Sequence, residues 1–190
     1  FLGLFGVNSS KSESQFFKIE NILKFSKVSE LKLKPLQKIE FDSNFAELNR
    51  LIKNKKYESD KYFFVTNNGR WTGFIDENIL KTVSIKKWER YFVGDFKKPI
   101  DSFESVYSND KLWKTIERIE ETGKGFILVL NSADIPLGII DRSKIGNFVL
   151  NKLGFNLPSE IVNKLNYKNQ YPLGIEFPRI INSMKQKGDL

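Results

Sequence analysis

Residues 63–80 read FFVTNNGRWTGFIDENIL, and residues 127–145 read ILVLNSADIPLGIIDRSKI. In both stretches an apolar run meets a polar turn, and a second apolar run closes on Gly-x-Ile-Asp. Gly73-Phe74-Ile75-Asp76 and Gly138-Ile139-Ile140-Asp141 stand 65 residues apart. Two upstream anchors keep that spacing. Phe41-Asp42-Ser43-Asn44 matches Val106-Tyr107-Ser108-Asn109, and Val28-Ser29-Glu30-Leu31 matches Val93-Gly94-Asp95-Phe96. Pro35 and Pro99 fall one residue out of that register. A spacing held from the first anchor to the last means that the chain carries two copies of one unit.

Each copy predicts the same order of elements. A short strand (38–41, or 102–106) leads to Ser43 or Ser108, each placed to cap a helix. Phe45, Leu48, Leu51 and Ile52 recur at helical spacing in the first copy, as do Leu112, Trp113, Ile116 and Ile119 in the second. An apolar strand then ends in turn residues, Asn67-Asn68-Gly69 or Asn131 to Asp134. A return strand ends at the Asp, and a second helix follows over 77–83 or 142–153. The unit is βαββα and the fold class α+β. Neither copy buries its sheet alone, so the two are expected to pack about a pseudo-twofold axis. The copies span 27–83 and 84–153. Residues 1–26 hold an apolar start and an amphipathic helix over 12–25, with Phe16, Ile19 and Leu23 on one face. Residues 154–190 form a tail with helices over 159–165 and from Pro178, its last residues 185–190 reading as disordered.

The chain has no His and no Cys. That excludes a Ser-His-Asp triad, thiol chemistry and a disulfide framework. No phosphate-cradling Gly-x-x-x-x-Gly-Lys-[Ser/Thr] loop is present, and Glu117, Glu120 and Glu121 read as a solvated helix face, so catalysis by this segment is not expected. The net charge is +8. It is carried mainly by Lys spread along the chain, not by Arg interleaved with aromatics, so no nucleic-acid partner is expected. FLGLFGV at the start is too short to cross a bilayer, which takes about 20 residues. It reads as the last turns of a membrane helix or as an apolar strand on the domain. Lys11, Lys18, Lys24 and Lys27 behind it point to the cytoplasmic side of a membrane.

The tandem βαββα order, with its strand-Gly-x-Ile-polar-helix junctions, resembles the CBS-domain pair, also called a Bateman module, over roughly 27–150. The apolar start, the charged helix and the tail YPLGIEFPRIINSM (171–184) extend the likeness. Together they are similar to the C-terminal region of membrane-embedded zinc metalloproteases of the site-2 protease family, as in cyanobacteria. The resemblance implies a regulatory or dimerising module beside a transmembrane protease domain, with self-association as a homodimer. Zinc would belong to that protease domain, whose His-Glu-x-x-His motif this sequence lacks. The ligand implied for the module itself is an adenosine nucleotide. The same repeat also fits a channel or transporter module, or a structural module without ligand.

In that family the pattern is Gly-x-[Ile/Val]-[Thr/Ser]-x-x-Asp, and its last Asp holds the ribose, since a carboxylate accepts two hydrogen bonds from vicinal hydroxyls. Here Asp76 and Asp141 stand at the Thr/Ser position, while Ile79 and Lys144 stand at the ribose position. Asp76 and Asp141 read first as helix N-caps, with ligand contact as the alternative. Lys144 reads as a phosphate contact or as a solvated helix Lys, and Lys34 and Lys98, beside the two prolines, as cleft or surface residues. The candidate ligand residues are Asp76, Asp141, Lys144, Lys34 and Lys98, with a degenerate site expected in the second copy and a structural first copy. Trp71 reads as core. Phe155, Tyr171 and Phe177 of the tail are candidates to fill a cleft.

Overall fold

The apolar runs quoted above are the central strands of two three-stranded sheets. The computed structural model describes residues 9–54 and 61–190, so the membrane reading of residues 1–7 lies outside the described residues. In the first sheet β1 (Lys38–Glu40) runs parallel to β2 (Tyr62–Asn67), which turns back into antiparallel β3 (Arg70–Asp76). In the second, β4 (Ser105–Tyr107), β5 (Phe126–Leu130) and β6 (Pro136–Asp141) repeat that pattern. Even the break in the ladder recurs, at Val65/Thr66 and at Val129/Leu130. The first hairpin closes on Asn68 and Gly69, both at positive φ (50° and 77°), as a two-residue turn matched to strand twist requires.

Among the described residues seven α-helices surround the sheets: α1 (Ser9–Phe25), α2 (Phe45–Lys53), α3 (Val93–Phe96), α4 (Leu112–Thr122), α5 (Arg142–Lys152), α6 (Ser159–Lys168) and α7 (Phe177–Gln186). Helices α2 and α4 are the crossovers that join parallel strands. Both central strands are buried on two faces, which is why they read as unbroken apolar runs. Phe63 and Val65 point into a helix-side core with Phe45 and Leu48, while Phe64 points the other way. In β5, Ile127 and Val129 take the helix side, and Phe126 and Leu128 the other. Phe64, Phe74, Phe126, Leu128 and Ile139 from the two sheets thus meet in one shared core around Phe103, whose ring lies 4.8 Å from that of Phe74, edge to face.

The segment leading into each copy crosses to the other copy. Lys34 bridges Ile139 of the second sheet, and Lys98 bridges Phe74 of the first. The Val28 and Ser29 N–H groups donate to the carbonyls of Asp110 and Ser108, as those of Val93 and Gly94 donate to Ser43 and Phe41. These crossings explain the glycines that open the repeated motif. A Cβ on Gly138 would lie 2.6 Å from the Lys34 carbonyl oxygen, and one on Gly73 would overlap that of Lys98. Only glycine admits so close a backbone.

The crossings also displace the expected caps. Ser43 lends its carbonyl to Val93, and Asn44 closes the capping box instead, accepting from the Glu47 N–H at 3.1 Å. Ser108 is held between Leu130 and Ser29, and α4 starts three residues later with Lys111 at its N-cap. Gly123 ends α4 at φ 64°.

The second helix of the first copy is two 3₁₀ segments, Glu77–Thr82 and Ile85–Arg90, in place of the expected helix over 77–83. Side chains compete with the helix there. Asp76 takes the Asn78 N–H, the Thr82 hydroxyl donates to the Ile79 carbonyl, and β-branched Ile79, Thr82 and Val83 lower helix propensity.

The tail is ordered to its end, contrary to expectation. After α7 the chain turns at Gly188, the Asp189 N–H donates to the Met184 carbonyl at 2.9 Å, and Leu190 packs on the core of the second copy. Helices α1 and α7 cover the helical face of that copy through Ile19, Leu23, Phe177, Ile181 and Met184. Among the described residues no helix is long and apolar enough to cross a membrane.

Candidate functional site

The two Gly-x-Ile-Asp junctions end in unequal surroundings. Asp76 caps the 3₁₀ turn after β3, its Oδ1 accepting from the backbone N–H and the side-chain amide of Asn78, both at 2.8 Å. It shares a cleft of about 240 Å³ with Ile79, Thr82, Phe96 and Lys98. Burial, followed by the Asp76 charge and a hydrogen bond to it, pushes the Tyr62 phenol above its ordinary range. Asp76 and Lys98 do meet here, in a small space beside the apolar side chain of Ile79.

Asp141 is fully buried. Its Oδ1 accepts from the Lys144 N–H at 2.9 Å and from the Ser143 hydroxyl at 2.7 Å, and its Oδ2 forms an ion pair with Lys34. Lys34 is 6% exposed, because the crossing segment threads it between β6 and the start of α5. A buried charge must be met by opposite charge and hydrogen bonds, and this carboxylate meets both inside the protein. Its capping role is visible, and it faces Lys34 where a ligand contact was the alternative.

Lys144 lies one residue beyond Ser143 and is half-buried, not a solvated surface lysine. Burial lowers the pKa of its ammonium; Asp141 works against that shift, and Lys34 and Lys32 add to it. The side chain lines a cleft of about 480 Å³. One wall is α5, where Lys144, Asn147, Phe148 and Asn151 succeed one another at i, i+3, i+4 and i+7 and so form one stripe. The opposite wall brings Lys32 and Glu30 from the crossing segment, and the tail adds Asn156, Leu157 and Val162. The Asn147 side-chain oxygen is buried without a hydrogen-bond partner. Glu30 is committed: its Oε1 accepts from the Lys27 N–H at 2.9 Å and its Oε2 from Lys152 at 3.1 Å, and these contacts hold its carboxyl below the usual range.

The tail is fixed over this copy by a polar knot. Glu120 accepts from Arg142 Nε at 2.8 Å and Nη2 at 2.6 Å, and from the Tyr171 hydroxyl at 2.9 Å. Burial raises the Glu120 carboxyl, but Arg142 and Tyr171 outweigh it and hold the group low. The Tyr171 phenol is driven strongly up, by burial first and then by the Glu120 charge. Pro172 packs directly on Gly146, leaving no room for a Cβ. Glu120 is therefore an anchor, not part of a solvated face. Of the tail aromatics, Phe177 is in the core, Tyr171 is in the knot and Phe155 packs on the same core; none lines the cleft.

Of the candidate residues, the structure brings Lys34, Asp141 and Lys144 together in the second copy, and Asp76 with Lys98 in the first. Lys32, Asn147, Phe148, Asn151 and Asn156 went unnoticed in the sequence. The polar stripe on α5 was legible at helical spacing, but Lys32 and Asn156 reach the cleft only through the crossing segment and the docked tail.

Comparison with solved structures agrees with the fold. The CBS domain of the bacterial CNNM/CorC family Mg²⁺ transporter superposes with a TM-score of 0.53 at 13% identity, covering 77% of this chain and 86% of that one. The chain has the fold of a CBS-domain pair. The same transporter's CBS domain in complex with ATP superposes with a TM-score of 0.55 at 12% identity, over 73% of this chain and 96% of that one. Protein MJ1004 of Methanocaldococcus jannaschii gives 0.54 at 19% identity, over 66% and 60%. No protein-family model matches the chain and no curated protein is similar to it. Among the described residues of this CBS pair, no group of three or more Asp or Glu gathers where a metal could sit.

Proposed function

We propose that this CBS pair is a regulatory module whose second-copy cleft takes an adenosine nucleotide, while the first copy is structural. The observation that carries the reading is the cleft beside α5. It sets two ammonium groups, Lys32 and Lys144, a buried amide oxygen without a partner, on Asn147, and an aromatic side chain, Phe148, around a volume suited to a small ligand. Cations suit phosphates, the amides suit base edges, and the ring suits a flat apolar body. The ATP complex of the transporter's CBS domain lends support to that ligand class.

A thermal-shift series with ATP, ADP, AMP and S-adenosylmethionine tests it. A ligand at about a hundred times its Kd stabilises by roughly 2.7 kcal/mol, a rise in Tm of about 5–10 °C for a chain of this size. One adenosine compound is expected to give that rise, and Lys144→Ala to abolish it. Unmoved midpoints with all four would leave a purely structural module.

The regulated partner on this reading is an adjoining membrane domain on the cytoplasmic face of a bilayer. The sequence resemblance supports a zinc protease in that place, and the transporter's CBS domain supports a transporter equally. Self-association belongs to the same reading. Helices α1 and α7 occupy the helical face of the second copy, but among the described residues a groove of about 400 Å³ lined in part by Ile52, Leu80 and Trp88 stays uncovered on the first. A second copy of the chain suits it, and sedimentation velocity would show the dimer.

A further inference from the structure

We propose that the phosphate chain, not the ribose, occupies the Lys144 end of this cleft, so that binding follows anionic charge and is indifferent to the ribose 2′-hydroxyl. The inference rests on the reading of the cleft as a nucleotide site.

A vicinal diol is clamped by an acceptor that takes two hydrogen bonds, and an ionised carboxylate does this best. An ammonium only donates. Lys144, standing where the resemblance implies a ribose carboxylate, makes that end of the cleft a cation instead. Two carboxylates stand near enough to take over the lost role, and both are committed. Asp141 is fully buried and divided among the Lys144 N–H, the Ser143 hydroxyl and Lys34. Glu30 holds the Lys27 N–H at 2.9 Å and Lys152 at 3.1 Å.

The cations are differently placed. Lys32 and Lys144 line the cleft, and neither ammonium makes an ion pair or hydrogen bond among the described residues. Behind them stands Lys34, half of a buried pair. Burial first, and then the charges of Lys34 and Lys32 against the pull of Asp141, make the Lys144 ammonium costly in the empty protein, and a polyanion in the cleft relieves that cost. The acceptors left in the cleft are neutral amides, Asn147, Asn151 and Asn156, along the α5 stripe and the tail. Asn151, two turns along the stripe from Lys144, and Asn156 of the tail suit an exocyclic amine or ring nitrogen and place the base away from Lys144.

Calorimetric titration of the chain with ATP, 2′-deoxy-ATP, adenosine and inorganic tripolyphosphate decides the matter. Losing a hydroxyl bonded to a carboxylate weakens binding roughly ten- to a hundred-fold. Here 2′-deoxy-ATP is expected to bind within about threefold of ATP, adenosine not measurably, and tripolyphosphate is expected to displace ATP. Lys144→Gln, with a single cooperative melting transition at or above the parent's Tm as proof of folding, should weaken ATP by tenfold or more. A tenfold preference for ATP over 2′-deoxy-ATP, or adenosine binding as tightly as ATP, would overturn the inference and leave the nucleotide reading standing. Tripolyphosphate binding without ATP binding would sink the nucleotide reading and keep the Lys144 end as an anion site. Silence from all four would overturn both.

Discussion

Asp76 and Asp141 occupy equivalent positions, yet one lies in a surface cap and the other in a buried ion pair, and their substitution should separate accordingly. Asp76→Ala loses a cap at the protein surface, a cost of about 1 kcal/mol. Lys34→Met leaves the Asp141 charge buried without its cation, a cost of about 3–5 kcal/mol. Chemical denaturation of the two variants should give that ordering, and equal costs would mean that the pair is solvated. Lys144 should behave in the opposite sense. Its folded pKa is lowered from 10.5, so between the lowered value and 10.5 the unfolded chain binds more protons and stability rises with pH. Lys144→Met should therefore raise the Tm at neutral pH, with the gain shrinking as pH climbs toward 10.5. A lower Tm at pH 7 would contradict the half-buried, cation-crowded setting described for this side chain. A residue that costs stability and lines a cleft is the pattern expected of function.

Elements show how far pattern reading reaches. The strands, the crossover helices and the repeat were legible because β2 and β5 must be apolar on both faces and because Gly73 and Gly138 admit a crossing backbone. Helix starts were misplaced by one to three residues, since Ser43 and Ser108 serve segments arriving from the other copy, which no local window contains. The 3₁₀ geometry at Glu77–Thr82 and the ordered end at Leu190 likewise depend on competition and docking beyond local propensity. The docked tail gives its own prediction. The Glu120 carboxyl is held below its ordinary 4.5, so its stabilising contribution is complete above that pH and is lost as pH falls through the lowered value. Tyr171→Phe removes a hydrogen bond to a charged group, about 1.5–3 kcal/mol. Hydrogen exchange should then show α6 and the 172–174 turn opening below pH 4.5 in the parent and at higher pH in the variant. Equal protection in both proteins at every pH would show that the knot does not hold the tail.

Across the molecule, a symmetric pair of sheets carries asymmetric coverings. The shared aromatic core around Phe103 and the paired crossings treat both copies alike. Helices α1 and α7 pack on the core of the second copy, and the tail adds Asn156, Leu157 and Val162 to its cleft. The sequence named Lys144, Lys34 and Asp141 but not their division of labour, because that division depends on which side chain the crossing segment buries. The reading that follows is one nucleotide per chain, held in the second copy. Titration calorimetry with ATP tests this most directly, on the parent, Lys144→Gln and Lys98→Gln. One equivalent is expected in the parent, lost in Lys144→Gln and retained in Lys98→Gln. Two equivalents, binding that survives Lys144→Gln and fails in Lys98→Gln, or no heat at all would contradict it.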